Sequence, residues 1–231
     1  MTDTQDKGKE GSPLIGRVYP VLDKGSVVLL DFMGSDQRIV EAARVSTGSK
    51  SEPERDRNLI LFLMENHHGT PFEHAVFQFL IKCPIFVARQ WFRHRIASYN
   101  ERSARYRAFQ EEYYTPSLKD LPSIFNEQDL EGYKEAMGNA HQFYEKMMEK
   151  AKPFREHRQR TREVFRGLLG TAYYTEFYWS INFRSLMNFI SLRTGKGAQP
   201  EIQRYADVIA GIAKELLPMS YEAFEKLVLK Q

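Results

Sequence analysis

The chain carries a single cysteine, Cys83, in 231 residues. No internal disulfide is possible, which points to a reducing compartment. Net charge is equally scarce: 33 lysines and arginines against 30 acids leave +3. A nucleic-acid sponge is therefore ruled out, and any cationic function has to be local. No run approaches the roughly 20 apolar residues that span a bilayer. The opening residues, MTDTQDKGKEGSP, contain no apolar stretch of the kind a secretory signal needs. Their composition predicts a disordered lead-in over 1–15 and a single domain over 16–231, in a cytoplasmic protein. Neither G-x-G-x-x-G nor G-x-x-x-x-G-K-[ST] occurs, so no standard glycine-rich loop cradles a phosphate. RTGKGAQ is the nearest feature and reads as a turn between helices. Any nucleotide has to be held by side chains.

What is present is an ordinary globular balance, 42% hydrophobic with 13% aromatic, enough to bury a core. SVVLLDFM, between Gly25 and Gly34, reads as a strand, as does HAVFQFLIKCP. TAYYTEFYWSINF reads as a strand, with a helix as the alternative. Helical spacing runs through DQRIVEAARVS and EPERDRNLILFLMENHH, where Leu59, Phe62 and Leu63 share a stripe. PIFVARQWFRHR starts on a proline and continues as a helix. Further helices are expected from Asn126 to Lys152, on to about Leu169, from Arg184, and from Ala198 to Leu217. Strands and helices mix without βαβ alternation, which predicts one α+β domain.

The densest feature is RQWFRHRIASYNERSARYR, Arg89 to Arg107, with six arginines, His94 and one acid, Glu101. On a helix, Arg89 and Arg93 share a face, with Gln90 and His94 beside them. Beyond Ser98 an extended chain would send Glu101, Ser103 and Arg105 to one side and Arg102, Ala104 and Tyr106 to the other. Three readings stand. The run is a solvated charged face, an RNA-binding stripe interleaved with Trp91, Phe92, Tyr99 and Tyr106, or a grip on a small anion, for which the guanidinium fork is suited. The low net charge argues against RNA. HHGTPFEH raises a metal site through His67, His68, Glu73 and His74. Its spacing is not H-E-x-x-H and no cysteine joins it, so no metal is expected. Cys83, in FLIKCPIFVA, reads as a buried hydrophobe.

RHRIASYNERSARY resembles, at every fixed position, the signature of the flavin-dependent thymidylate synthases, R-H-R-x2-S-x-N-E-x-S-x-R-Y. TPFEH (Thr70 to His74) is similar to that family's upstream element, FRSLMNF to its downstream helix and AQPEIQ to its late segment. The resemblance covers most of the chain from about Gly25 onward. It implies reductive methylation of dUMP to dTMP, with methylene from 5,10-methylenetetrahydrofolate and reducing equivalents from NADPH through bound FAD. It also implies a mostly antiparallel sheet flanked by helices, and a homotetramer whose active sites are shared between subunits, with no nucleic-acid or membrane partner.

Residue by residue, the resemblance assigns uracil activation to Arg193, the last arginine of NFISLRTG. Uracil C5 is a poor nucleophile. Classical thymidylate synthases overcome this by adding a cysteine thiolate at C6, a route the apolar setting of Cys83 closes. An arginine at the N3 and O2 edge would instead stabilise a deprotonated ring. A cation there also suits the C-terminus of a helix. The nucleotide phosphate falls to Ser103 and Arg105, with Gln90, Arg93 and Glu101 nearby, backbone around Arg102 and Ala104, and Arg166 reaching in from another subunit. Arg102 itself is expected to point to solvent. FAD falls to Thr70, Arg93, His94, Arg95, Glu101, Asn182, Arg184 and Asn188, with His68 near the flavin or folate. Arg184, Asn188 and Ser191, at i, i+4 and i+7, draw a polar line on an apolar helix. TGKG at Thr194 to Gly197 and Pro200 depart from the family's pattern beside Arg193.

Overall fold

Buried side chains alternate with less buried ones along the central strands, Phe77, Phe79 and Ile81 among them, and that period of two builds the sheet. The computed structural model describes residues 12–45, 52–103 and 111–230. Strands β1 (Val18–Val21), β2 (Gly25–Met33), β3 (Val76–Pro84), β4 (Ser98–Glu101) and β5 (Tyr174–Asn182) pair in the order β1-β2-β3-β5-β4. Every pairing between them is antiparallel. Val27, Leu29, Phe77, Phe79, Ile81, Phe177 and Trp179 point to the buried face, while Gln78 and Tyr178 on the other face are exposed.

Helices cover the buried face: α1 (Asp36–Arg44), α2 (Pro53–Glu65), α3 (Ile85–Trp91), α6 (Phe183–Thr194), α7 (Pro200–Leu216) and α8 (Pro218–Phe224), which continues as a π-helical stretch over Glu225–Leu229. Between β4 and β5 stand α4 (Glu127–Lys150) and α5 (Arg158–Phe165). Trp91 is the hinge of the core. Its ring lies 5.1 Å from Trp179, 4.9 Å from Phe189 and 5.7 Å from Tyr205, joining α3, β5, α6 and α7. A smaller core of Tyr144, Leu169 and Tyr173 seats α4, and His141 Nδ1 lies 3.1 Å from the Tyr173 hydroxyl. This is the α+β, single-domain, antiparallel architecture that the sequence predicts. No helix among the described residues is long and apolar enough to cross a membrane.

Four expectations change. The folded chain begins before residue 16: Leu14 is buried, Ile15 bridges Leu29, and the Gly16 N–H donates to the Leu29 carbonyl at 2.8 Å. The remainder of the lead-in, 1–11, lies outside the described residues. In α2 the buried stripe is Asp56, Ile60, Leu63 and Met64, and Phe62 is 52% exposed. The helix opened by Ile85 stops at Trp91 instead of running on to Arg95. Finally, α8 and β1 add elements the sequence did not announce.

Candidate active site

The early stop of α3 creates the site. Trp91 is wholly buried, and after it the chain turns: the Phe92 N–H donates to the Ala88 carbonyl and the His94 N–H to the Trp91 carbonyl at 3.0 Å. Arg93 therefore lies past the end of the helix, and the expected shared face of Arg89 and Arg93 does not form. The turn carries Arg93, His94 and Arg95 to the lining of a cavity of about 550 Å³, which Arg184, Asn188 and Arg193 of α6 line as well. Ile96, Ile181 and Leu192 supply its apolar surface. The run is thus not merely a solvated charged face.

Arg193 is held on two sides. Its Nε donates to His94 Nε2 at 3.0 Å, and a terminal nitrogen donates to the Gln90 carbonyl at 3.0 Å. Burial, aided by the Arg193 charge, lowers the His94 imidazole to about 4. Burial also lowers Arg193 from the ordinary arginine value, and it stays a cation. Among the ion pairs of the described residues, Arg193, Arg93 and Arg95 have no carboxylate partner. Three guanidinium groups thus line one cavity with no carboxylate paired to them among the described residues.

The polar line on α6 behaves as its spacing requires. Phe183, Leu186, Met187, Phe189 and Ile190 are buried, leaving Arg184, Asn188 and Ser191 to face outward. Arg184 touches three adjoining cavities. Besides the first, it lines one of about 410 Å³ with His68, Asn188, Ser191, Phe224 and Val228, and another of about 550 Å³ with His68 and Thr70. TPFEH folds as a 3-10 turn, Thr70–His74, whose Glu73 accepts from Arg184 at 2.6 Å. Gly69 precedes it. A Cβ there would sit 2.6 Å from Arg184 Nε, so only glycine lets the guanidinium approach. Asn182 caps α6, accepting from the Ser185 N–H at 2.9 Å.

In β4, the exposed Glu101 turns toward Thr175 and accepts from its Oγ1 at 2.7 Å. Arg102 turns the other way, as alternation predicts. It is not simply in solvent: it pairs with Glu176 at 3.0 Å across the strand edge. Ser103 follows as an exposed residue, and Ala104 and Arg105 lie outside the described residues. The Gln90 side chain donates to Gln199, the residue that caps α7, and so meets the site through its backbone carbonyl. Arg166 begins the 3-10 turn after α5 and is not among the residues lining these three cavities.

Cys83 is wholly buried, and that burial pushes its thiol well above the ordinary value. It cannot present a thiolate to a ligand. Among the described residues no group of three His, Cys, Asp or Glu side chains is placed to share a metal ion. Sequence reasoning passed over Glu73 as an anchor for Arg184, weighing it only as a metal ligand. It also passed over Ile96 and Leu192, 76% and 57% exposed. Their signal was there: each is a large apolar residue beside an arginine of the site.

Comparisons with known proteins converge on one group. Residues 28–219 match the family described as thymidylate synthase complementing protein. The chain is 48% identical over 214 residues to a flavin-dependent thymidylate synthase of Thermotoga neapolitana, covering 91% of this chain and 95% of the relative. It is 44% identical over 226 residues to one from Thermosipho africanus, covering 92% and 96%. Among solved structures it is similar to the UMP/dUMP methylase PolB of Streptomyces cacaoi bound with 5-Br dUMP, with a TM-score of 0.79 and 30% identity over 90% of this chain and 97% of that one.

Proposed function

Since the chain belongs to the flavin-dependent thymidylate synthase family, we propose that it converts dUMP to dTMP. In this reading methylenetetrahydrofolate supplies the methylene, NADPH the reducing equivalents, and FAD is the resident cofactor. The residues present fit such a group. Arg93, Arg95 and Arg184 offer planar forks suited to a pyrophosphate, and Ile96, Ile181 and Leu192 offer apolar surface suited to a ring. His94, Asn182, Asn188, Thr70 and Glu101 are assigned to the same cofactor, with His68 at its edge. When bound, FAD carries reducing equivalents from NADPH to the carbon being transferred.

The observation that carries this reading is Arg193, a cation fixed by His94 and Gln90 on a cavity wall, while the lone thiol is sealed in the core. An arginine so held can face the N3 and O2 edge of uracil, stabilise the negative charge of the deprotonated ring and raise electron density at C5. Preorganised charge of this kind is worth several kcal/mol in a dry site. We assign the phosphate to Ser103 and Arg105 with Gln90, Arg93, Glu101, Arg102 and Ala104 around it. We assign a further contact to Arg166 of a neighbouring subunit in a homotetramer, because its own arm stands apart from the cavity. The lone reduced thiol supports a cytoplasmic location.

Purified protein should be yellow, with a flavin absorbance band, should oxidise NADPH when dUMP is present, and should yield dTMP when methylenetetrahydrofolate is added. Colourless protein that neither binds added FAD nor methylates dUMP would refute the assignment.

A further inference from the structure

The Arg193 guanidinium has five N–H groups. Two of them are spent, on His94 Nε2 and on the Gln90 carbonyl, each at 3.0 Å. The other three remain for a ligand. Which way those three aim is set by the two acceptors, and only one acceptor is a side chain. We propose that His94 is the positioning residue of Arg193: its imidazole holds the guanidinium in register with the cavity through a bare Nε2. This rests on Arg193 being the uracil-activating group.

The geometry fixes the tautomer. Nε–H of Arg193 is a donor and cannot be anything else. Nε2 of His94 must then offer its lone pair, so the ring proton sits on Nδ1 and the ring is neutral. The imidazole is braced to hold that orientation. Its ring packs edge-on against Phe189 of α6, with centroids 4.9 Å apart. Its backbone N–H donates to the Trp91 carbonyl, and its own carbonyl accepts from the Tyr99 hydroxyl at 2.7 Å. Every charged group sharing its cavity wall is a cation: Arg93, Arg95, Arg184 and Arg193. Surroundings of that sign oppose an imidazolium, in keeping with the low pKa of the ring. A second cation at this point would also drive Arg193 away.

Two variants and one spectrum test the proposal. His94→Phe keeps a ring against Phe189 and removes the acceptor, and His94→Gln restores an acceptor on a flexible stem. Measured per bound flavin, His94→Phe should lower kcat about 100-fold, the cost of misplacing a catalytic group by about an ångström. KM for dUMP should move far less, because the loss is confined to the transition state. His94→Gln should recover at least about a tenth of wild-type kcat. Nitrogen NMR of the wild-type protein without ligands, at neutral pH, should show His94 protonated on Nδ1 and bare on Nε2. A proton on Nε2 would overturn the proposal, even where the variants fail to fold or to bind flavin. So would His94→Phe turning over like wild type while Arg193→Ala is inactive. An active Arg193→Ala would instead remove the activation reading beneath it.

Discussion

Arg184 of α6 and Glu73 of the Thr70–His74 turn meet at 2.6 Å, fixing a guanidinium at the junction of three cavities. Both side chains are substantially exposed, so the pair itself adds little to folding stability. Its importance lies in aiming a cation. Arg184→Ala should weaken FAD binding about 10- to 100-fold, the value of a charge-assisted hydrogen bond or two to a phosphate. Glu73→Gln, which leaves the cation in place but less constrained, should cost less. Titrating flavin fluorescence against apoprotein measures both, and unchanged affinity in Arg184→Ala would remove it from the cofactor site.

Gly69→Ala attacks the same cation from behind. The new methyl would meet the Arg184 side chain at 2.6 Å and must push it aside. That side chain is flexible, so stability should change by less than about 1 kcal/mol. Flavin affinity should fall in step with Arg184→Ala, though by a smaller factor. Denaturant unfolding and flavin titration on one sample separate the two effects.

Acid should loosen the site through His94. Its imidazole titrates at about 4 in the folded protein against an ordinary 6.5. Between those values the unfolded chain binds the proton and the folded one does not, so stability falls as pH drops from 6.5 towards 4. Above 6.5 both states are neutral there and the effect vanishes. His94→Gln should flatten this part of the stability profile, measured by thermal unfolding at a series of pH values. An identical profile in the variant would contradict the assignment of the shift.

Asp36 is a control on stability, since it lines none of the three cavities. It lies in α1, is buried, and accepts from the Met219 and Ser220 N–H groups at 2.9 Å each, capping α8 from outside its own helix. Asp36→Ala should cost about 1–2 kcal/mol, read as a lower denaturation midpoint, with turnover per folded molecule unchanged.

The sheet was legible because β2, β3 and β5 are nine-residue runs rich in β-branched, aliphatic and aromatic side chains, with β2 bounded by Gly25 and Gly34 and β3 ended by Pro84. β1 was not, being four residues long with a proline in its middle. α8 was not, since seven residues starting at Pro218 show too little periodicity, and its N-terminus is secured by Asp36, 182 positions away from Pro218. In α3 the helical spacing of PIFVARQWFRHR continues to Arg95, yet burial of Trp91 and the packing of Phe92 on Tyr99 and Phe177 turn the chain at residue 92. Tertiary packing overrode local propensity there. The same override made the site, because it brought His94 to Arg193 across 99 positions. The family resemblance nominated both residues, and nothing in the sequence could join them.

Replacing Cys83 by alanine tests the central claim most directly. The thiol lies wholly within the core, so Cys83→Ala should lose about 1 kcal/mol of packing and no chemistry. The expected result is dTMP formation per bound flavin close to wild type, with Arg193→Ala under the same conditions nearly inactive and still yellow. A folded, flavin-loaded Cys83→Ala protein that makes no dTMP would show that sulfur, and not the guanidinium, makes the pyrimidine reactive.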